Sequence, residues 1–295
     1  MRKVRWFLEA AFAVALAFPF AVLPRGIALK TGDLLGLIVF YLWRSRRKIS
    51  IENIDKAVKA GGLKIDSPSS SIARKSFMNL GRSLADIIKI YFGLGRDIID
   101  SIEVEGFENY LKAKEKGKGI IFITGHCGNW EMTALGFGAR VEPFAVIARA
   151  QNNPYLNRLV EKARARYGNR IIYKQGALMA IVSELRQNKG IGILMDQAVL
   201  PEEGYIIDFL GRPAWTMKIP ALIARRLGAA VLPAFIHREG GRYIGKFYPP
   251  VVLSQEKDAE KALIEDTTTF IGYIENYIRE YPAEWLWMHR RWKRT

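Results

Sequence analysis

The sequence predicts an α/β domain: a mixed, largely parallel sheet flanked by helices, preceded by an N-terminal helical membrane anchor. Two observations carry this. Beyond Ile102, short β-branched runs alternate with helix-length segments, and the first 48 residues hold two apolar runs between clusters of basic charge. Alternating strands and helices imply parallel strands, because each helical crossover returns the chain to the same end of the sheet. The chain therefore divides into an anchoring segment, 1–48, and a main domain, 49–295.

The anchor opens on Met1-Arg-Lys-Val-Arg5 and runs without a polar residue from Ala10 to Leu23. Pro24-Arg25-Gly26 then interrupts it, and a second apolar run extends from Leu34 to Trp43. Neither run reaches the ~20 residues of a clean spanning helix, which favours a shallow hairpin or interfacial anchor. A secretory signal peptide is the competing reading, but no small-residue cleavage site precedes Pro24 and a second apolar run follows at once. That run ends in Arg44, Arg46, Arg47 and Lys48, so basic residues flank the pair on both outer sides and place both ends in the cytoplasm. Trp6, Tyr41 and Trp43 beside positive charge suit a headgroup boundary; the plain alternative is a pair of buried helices.

From Ile49 to Gly95 the pattern is helical, with Gly61 to Ser71 as a loop. Ser71 to Phe92 places Ile72, Phe77, Met78, Leu80, Leu84, Ile87, Ile88 and Tyr91 at spacings near three and four. Strands are expected at 119–124, 143–147, 170–173, 190–195 and 230–236. Helices are expected at 153–167, 176–187, 219–227 and 261–281. Sheets of this kind bind ligands beyond the carboxyl ends of their strands.

The 295 residues are 49% hydrophobic, ample for a sizeable core. Lys and Arg number 45 against 29 Asp and Glu, a formal charge of +16 that attracts polyanions. Nucleic acid, anionic lipid and an acidic carrier protein all qualify, and the basic residues are too evenly spread to choose among them. The apolar N-terminus favours the membrane; nucleic acid has only charge in its favour. Cys127 is the single cysteine, which excludes an intrachain disulfide and a multi-cysteine zinc site. One site histidine with scattered carboxylates offers no metal-ligand spacing, and no metal or cofactor is expected.

The chemistry concentrates in Ile120-Ile-Phe-Ile-Thr-Gly-His-Cys-Gly-Asn-Trp-Glu131, which leaves an apolar strand, passes through glycines and enters a helix. His126 at the strand end titrates near neutrality and can take a proton from an alcohol, provided a partner fixes its tautomer and stabilises the imidazolium. Glu131 in the first helical turn is the expected partner. Gly125 and Gly128 permit the turn and leave backbone N–H groups to face an oxyanion. Cys127 as an acylated nucleophile is the rival mechanism, but neighbours along a strand face opposite ways, so a packed, inert thiol is expected.

These residues resemble the late acyltransferases of lipid A biosynthesis, the lauroyl and myristoyl transferase group related to glycerolipid and lysophospholipid acyltransferases. His126-Cys-Gly-Asn-Trp-Glu131 is similar to that family's H-x-G-N-W-E block. So are Arg44-Ser-Arg-Arg-Lys with Ile51-Glu-Asn-Ile54, Asn153-Pro-Tyr-Leu156 with Arg164 and Gly168, Met195-Asp-Gln197, and Asp208-Phe-Leu-Gly211 with Pro213-Ala-Trp-Thr216. The close Glu284-Trp-Leu-Trp-Met-His-Arg-Arg-Trp-Lys293 matches the family's tryptophan-rich ending, whose indoles sit either at headgroup depth or in the core. The sequence departs from the family at Ser67-Pro-Ser-Ser-Ser71 and at Asp86, where Glu is usual.

The resemblance implies His126 and Glu131 as the catalytic pair and places Arg164 and Asp196 in the active site. Arg164 then binds phosphate or the oxyanion, with Asp196 orienting it, unless the two form an ordinary ion pair. Gln197 and Asn129 are polar supports, and Arg149 is a further phosphate candidate. The implied reaction is transfer of a fatty acyl chain from acyl carrier protein, or alternatively acyl-CoA, to a hydroxyl of an anionic glycolipid such as a lipid A precursor. It needs no acyl-enzyme and takes place on the cytoplasmic face of the bacterial inner membrane. Other glycolipids, lysophospholipids, or a catalytically inactive membrane-associated binding protein are the alternatives.

Overall fold

In the computed structural model, residues 2–174 and 176–294 are described; Met1 and Thr295, the outer ends of the two expected segments, lie outside them. The N-terminal part is helical: α1 (Arg2–Val22), α2 (Arg25–Leu42), α3 (Arg44–Lys59), α4 (Ser69–Tyr91) and the short α5 (Arg96–Asp100). Strands and helices then alternate through β1 (Glu103–Glu105), α6 (Phe107–Glu115), β2 (Ile120–Thr124), α7 (Trp130–Arg140), β3 (Ala145–Ala148), α8 (Pro154–Arg164), β4 (Arg170–Tyr173), α9 (Ala177–Arg186) and β5 (Gly190–Leu194). A hairpin of β6 (Gly204–Asp208) and β7 (Pro213–Met217) follows, then α10 (Ile219–Leu227), β8 (Ala230–Glu239), β9 (Arg242–Phe247) and the long α11 (Ala259–Glu280).

The described residues form a seven-stranded sheet in the order β1-β9-β8-β2-β5-β3-β4. Every pairing in it is parallel except that of β8 with β9. All five residues of β2 are buried, as expected of a strand covered on both faces, which is why Ile120-Ile-Phe-Ile reads as an unbroken apolar run. β2 pairs with β5 in register from Ile120 against Gly190 to Thr124 against Leu194. The residues just past these two strands, Gly125-His126 and Met195-Asp196-Gln197, are therefore brought side by side at one end of the sheet. β1, β9 and the β6–β7 hairpin were not expected: β1 is too short to show a pattern, and the others carry Gly, Pro or charge within the run.

At the N-terminus the structure extends one expectation. Arg2 to Val22 is one helix of 21 residues, because helix continues back through the basic start. It is long and apolar enough to cross a membrane, and most of it is exposed. The expected break at Pro24 is present, and α2 meets α3 at 92°. Both α1 and α2 pack on α4. The α2–α4 approach depends on small residues: a Cβ on Gly32, Gly36 or Gly81 would run into the backbone of the facing helix.

Candidate active site

β2 ends at Thr124, and the chain turns through Gly125-His126-Cys127-Gly128 into α7, whose N-cap is Asn129; its Oδ1 accepts the Met132 amide at 3.2 Å. Gly128 adopts φ +53°, and a Cβ there would strike the Ile236 carbonyl, so the turn needs glycine. The C-terminal segment clamps this loop like a short antiparallel strand. The Leu286 amide donates to the His126 carbonyl at 3.1 Å, and the Gly128 amide donates to the Glu284 carbonyl at 2.9 Å. The Gly128 N–H is thereby committed to Glu284 and does not face an oxyanion, contrary to the sequence expectation.

The carboxylate on the His126 ring belongs to Asp196, and this corrects the expected pairing. His126 Nδ1 lies 2.9 Å from Asp196 Oδ1, and Asp196 Oδ2 accepts the His126 amide at 2.9 Å. The same Oδ2 accepts the Trp285 indole N–H at 2.7 Å. Asp196 is buried to 2% exposure, and these three contacts satisfy a carboxylate that water does not reach. Because Asp196 accepts from Nδ1–H, the imidazole lone pair resides on Nε2. Gln197 Nε2 sits 3.1 Å from that nitrogen, and the Trp130 ring packs edge-on at 5.1 Å.

Glu131 takes a different partner. Arg164 Nε donates to its Oε2 at 2.9 Å, Arg164 Nη2 donates to its Oε1, and the Tyr91 hydroxyl reaches Oε2 at 3.3 Å. Arg164, expected to be oriented by Asp196, is thus held in a two-pronged pair by Glu131. Each of these side chains is about a fifth exposed, at 20% and 21%. The two acids have exchanged roles relative to the sequence expectation. Spacing along the chain favoured Glu131 for His126, but the strand register places Asp196 next to it. Asn129 caps α7 and does not touch the His126 ring. Arg149 lies exposed just past β3 and is not drawn into this cluster.

The electrostatics follow the contacts. Burial by itself would lower the pKa of His126, but the Asp196 charge and hydrogen bond, with a smaller contribution from Glu131, outweigh it and raise the imidazole above its ordinary value. Burial would raise Asp196; the His126 charge and its hydrogen bonds, together with that of Trp285, hold it well below the carboxylate range instead. Burial would likewise lower Arg164, yet Glu131 keeps it firmly charged. Burial and the neighbouring Glu131 charge push the Tyr91 phenol up, so it remains a proton donor. His289 is pushed down to about 4 by burial and stays neutral beside the pair.

Cys127 is buried, and burial with the Asp196 and Glu284 charges drives its pKa well up. Its thiol packs in the core, as expected of an inert side chain. The ending tryptophans Trp285, Trp287 and Trp292 are buried in the same core, which decides for the interior over headgroup depth. Sequence reasoning missed Tyr91 and the part played by Trp285. Both look like ordinary helix-face or core aromatics, and only their polar tips reveal them.

A histidine held by a buried carboxylate just past the central strand of this sheet makes the site that of an α/β enzyme working by general-base chemistry. More specifically, the chain belongs to the bacterial lipid A biosynthesis acyltransferase family, whose model matches residues 2–294. It is similar to the lipid A biosynthesis lauroyltransferase of Escherichia coli, 23% identical over 273 residues covering 92% of this chain and 87% of that one. It is also similar to the lipid A biosynthesis acyltransferase of Haemophilus influenzae, 24% identical over 221 residues covering 71% of this chain and 67% of that one. A third relative is the phosphatidylinositol mannoside acyltransferase of Mycolicibacterium smegmatis, 24% identical over 199 residues covering 65% of this chain and 63% of that one.

Proposed function

We propose that this acyltransferase moves a fatty acyl chain from acyl carrier protein, or from acyl-CoA, to a hydroxyl of a lipid A precursor or similar anionic glycolipid. The observation that carries the reading is the His126 imidazole with Nδ1 bound to a buried carboxylate and Nε2 left as the base. Nε2 takes the proton of the acceptor hydroxyl as its oxygen attacks the thioester carbonyl. The tetrahedral intermediate collapses with loss of the carrier thiolate, and the His126 imidazolium returns the proton to that sulfur. No bond to the enzyme forms. Entry of the hydroxyl displaces the Gln197 amide from Nε2.

Glu131 acts in this scheme through Arg164, which it fixes in direction. An arginine has five N–H donors, and those not engaged by Glu131 suit a substrate phosphate or the carbonyl oxygen as it gains charge. Arg149, exposed just past β3, is the candidate for a more distant phosphate. The formal charge of +16 suits both an acidic carrier and a phosphorylated lipid.

Residues 1–48 serve as the membrane attachment and 49–295 as the catalytic domain. Exposed Val4, Phe7, Phe12, Leu16 and Val22 on α1, with basic residues at both outer ends of the α1–α2 pair, support insertion from the cytoplasmic face of the bacterial inner membrane. The lipid A acyltransferases and the phosphatidylinositol mannoside acyltransferase among the relatives are named for different acceptors, so the test is direct. The purified protein is given acyl carrier thioester and, in turn, a phosphorylated glucosamine lipid and a mannosylated phosphoinositide. Mass spectrometry should show one acyl increment on the glucosamine lipid. An increment only on the other acceptor reassigns the substrate, and none on either rejects the reading.

A further inference from the structure

The turn between α1 and α2 is held against α4 by two buried charged side chains that the reaction scheme does not use. Asp86 is fully buried and Lys89 nearly so, and at a spacing of three they share one face of α4. Lys89 Nζ donates to the Ala21 carbonyl at 2.9 Å and to that of Leu23, capping the negative end of the α1 helix. Arg25, the first residue of α2, grips Asp86 with two nitrogens, Nε to Oδ1 at 3.0 Å and Nη2 to Oδ2 at 3.2 Å.

Asp86 does more than fasten the helices. Its Oδ2 also accepts from Arg238 Nη2 at 2.8 Å and from the Tyr243 hydroxyl at 2.9 Å. That hydroxyl in turn accepts from Arg238 and, at 2.9 Å, from Asn129 Nδ2. One donated and two accepted bonds use the full capacity of a phenol, so its position is determined. The other end of Asn129 caps α7 by accepting the Met132 amide at 3.2 Å. Glu131 lies in that first turn, and the His126 loop leads into it. An unbroken hydrogen-bonded chain, Arg25 to Asp86 to Tyr243 to Asn129, thus runs from the start of α2 to the start of α7.

We propose that Asp86 and Tyr243 are positioning residues that transmit the seating of the N-terminal helix pair on α4 to the cap of α7, and so to Glu131 and the His126 loop. The catalytic consequence rests on the acyl-transfer reading above. With α1 and α2 docked, the cap is fixed and the Glu131–Arg164 pair lies where the reaction needs it. With the pair detached, Arg25 leaves Asp86, the carboxylate is held from one side fewer and is free to shift, and the phenol and the first turn of α7 shift with it.

The experiment uses the full chain in detergent and compares wild type with Arg25→Ala and Tyr243→Phe. Tyr243→Phe is the conservative variant, since it removes only the hydroxyl and leaves Asp86 paired with both arginines. Hydrogen–deuterium exchange should be faster at the amides of Trp130 to Thr133 in both variants and unchanged in β2. Each variant should lower kcat by about tenfold with donor KM within about twofold, and the double variant should be little worse than either, as expected for two links of one chain. Unchanged exchange at the start of α7 in both variants refutes the relay. Faster exchange with unchanged kcat refutes the positioning role, and so does a double variant whose losses multiply. A wild-type protein that transfers no acyl group rejects the acyl-transfer reading and the catalytic half of this inference, while the exchange data still decide the relay.

Discussion

Asp196 Oδ1 lies 2.9 Å from His126 Nδ1, and this contact fixes which ring nitrogen can act as a base. The partner stands 70 positions away along the chain yet adjacent in space, because β2 and β5 pair in register and both end at the same level.

The pH dependence of the reaction should reflect that contact. Only neutral imidazole can take the hydroxyl proton, and the Asp196 charge raises the His126 pKa over the lowering effect of burial. The acid limb of kcat/KM should therefore fall above about 6.5, the ordinary histidine value. Activity is lost as pH drops through the raised pKa. A rate profile with its acid limb at or below that value removes the Asp196 effect from the account.

Trp285 supports Asp196 from behind, its indole donating at 2.7 Å. Trp285→Phe keeps most of the ring packing and deletes this bond. Stability should fall by about 1.5–3 kcal/mol, the usual range for a lost bond to a charged acceptor. Thermal unfolding followed alongside steady-state kinetics should show kcat reduced and both KM values nearly constant. An unaltered kcat means that Asp196 needs no such support.

Cys127→Ala should keep kcat within about threefold of wild type, because the thiol packs in the core with its pKa driven up and takes no step in direct transfer. Intact-protein mass spectrometry after mixing with acyl donor should find no acyl adduct on the wild-type enzyme. Loss of activity in this variant, with an adduct in wild type, establishes a two-step mechanism in place of the direct one.

Glu131 and Arg164 should behave as one unit. Glu131→Gln and Arg164→Met each leave a partly buried partner uncompensated, and Arg164→Lys keeps the charge but loses the two-pronged geometry. Each should cut kcat by at least about tenfold, and the Glu131→Gln/Arg164→Met double variant should lose far less than the product of the single losses. Multiplicative losses show that the two side chains act separately.

Much of the fold was legible because its signals are local. The apolar run of β2, the Asn153 cap with Pro154 opening α8, and the Gly168 turn at φ +85° each announce themselves within a few residues. The site was legible as a set of residues and misread as a set of contacts. His126, Glu131, Arg164, Asp196 and Gln197 do gather at the strand ends. Which acid meets which base depends on the β2–β5 register and on the position of α8, and neither is written into a five-residue spacing. Asp86, a departure from the family pattern in sequence, is in the structure the fully buried junction of four side chains, Arg25, Arg238, Tyr243 and, through Tyr243, Asn129.

Single-turnover acyl transfer by Asp196→Asn, followed from pH 5 to 9, decides whether His126 held by Asp196 is the base. The amide is nearly isosteric but cannot stabilise an imidazolium or dictate that Nδ1 carries the proton. The rate at the optimum should fall on the order of 10⁴-fold, the scale of loss when the buried aspartate behind a catalytic histidine is made neutral. The acid limb should move to lower pH, since the charge that raised the His126 pKa is gone. Near wild-type transfer with an unmoved acid limb contradicts the assignment of His126, held by Asp196, as the base.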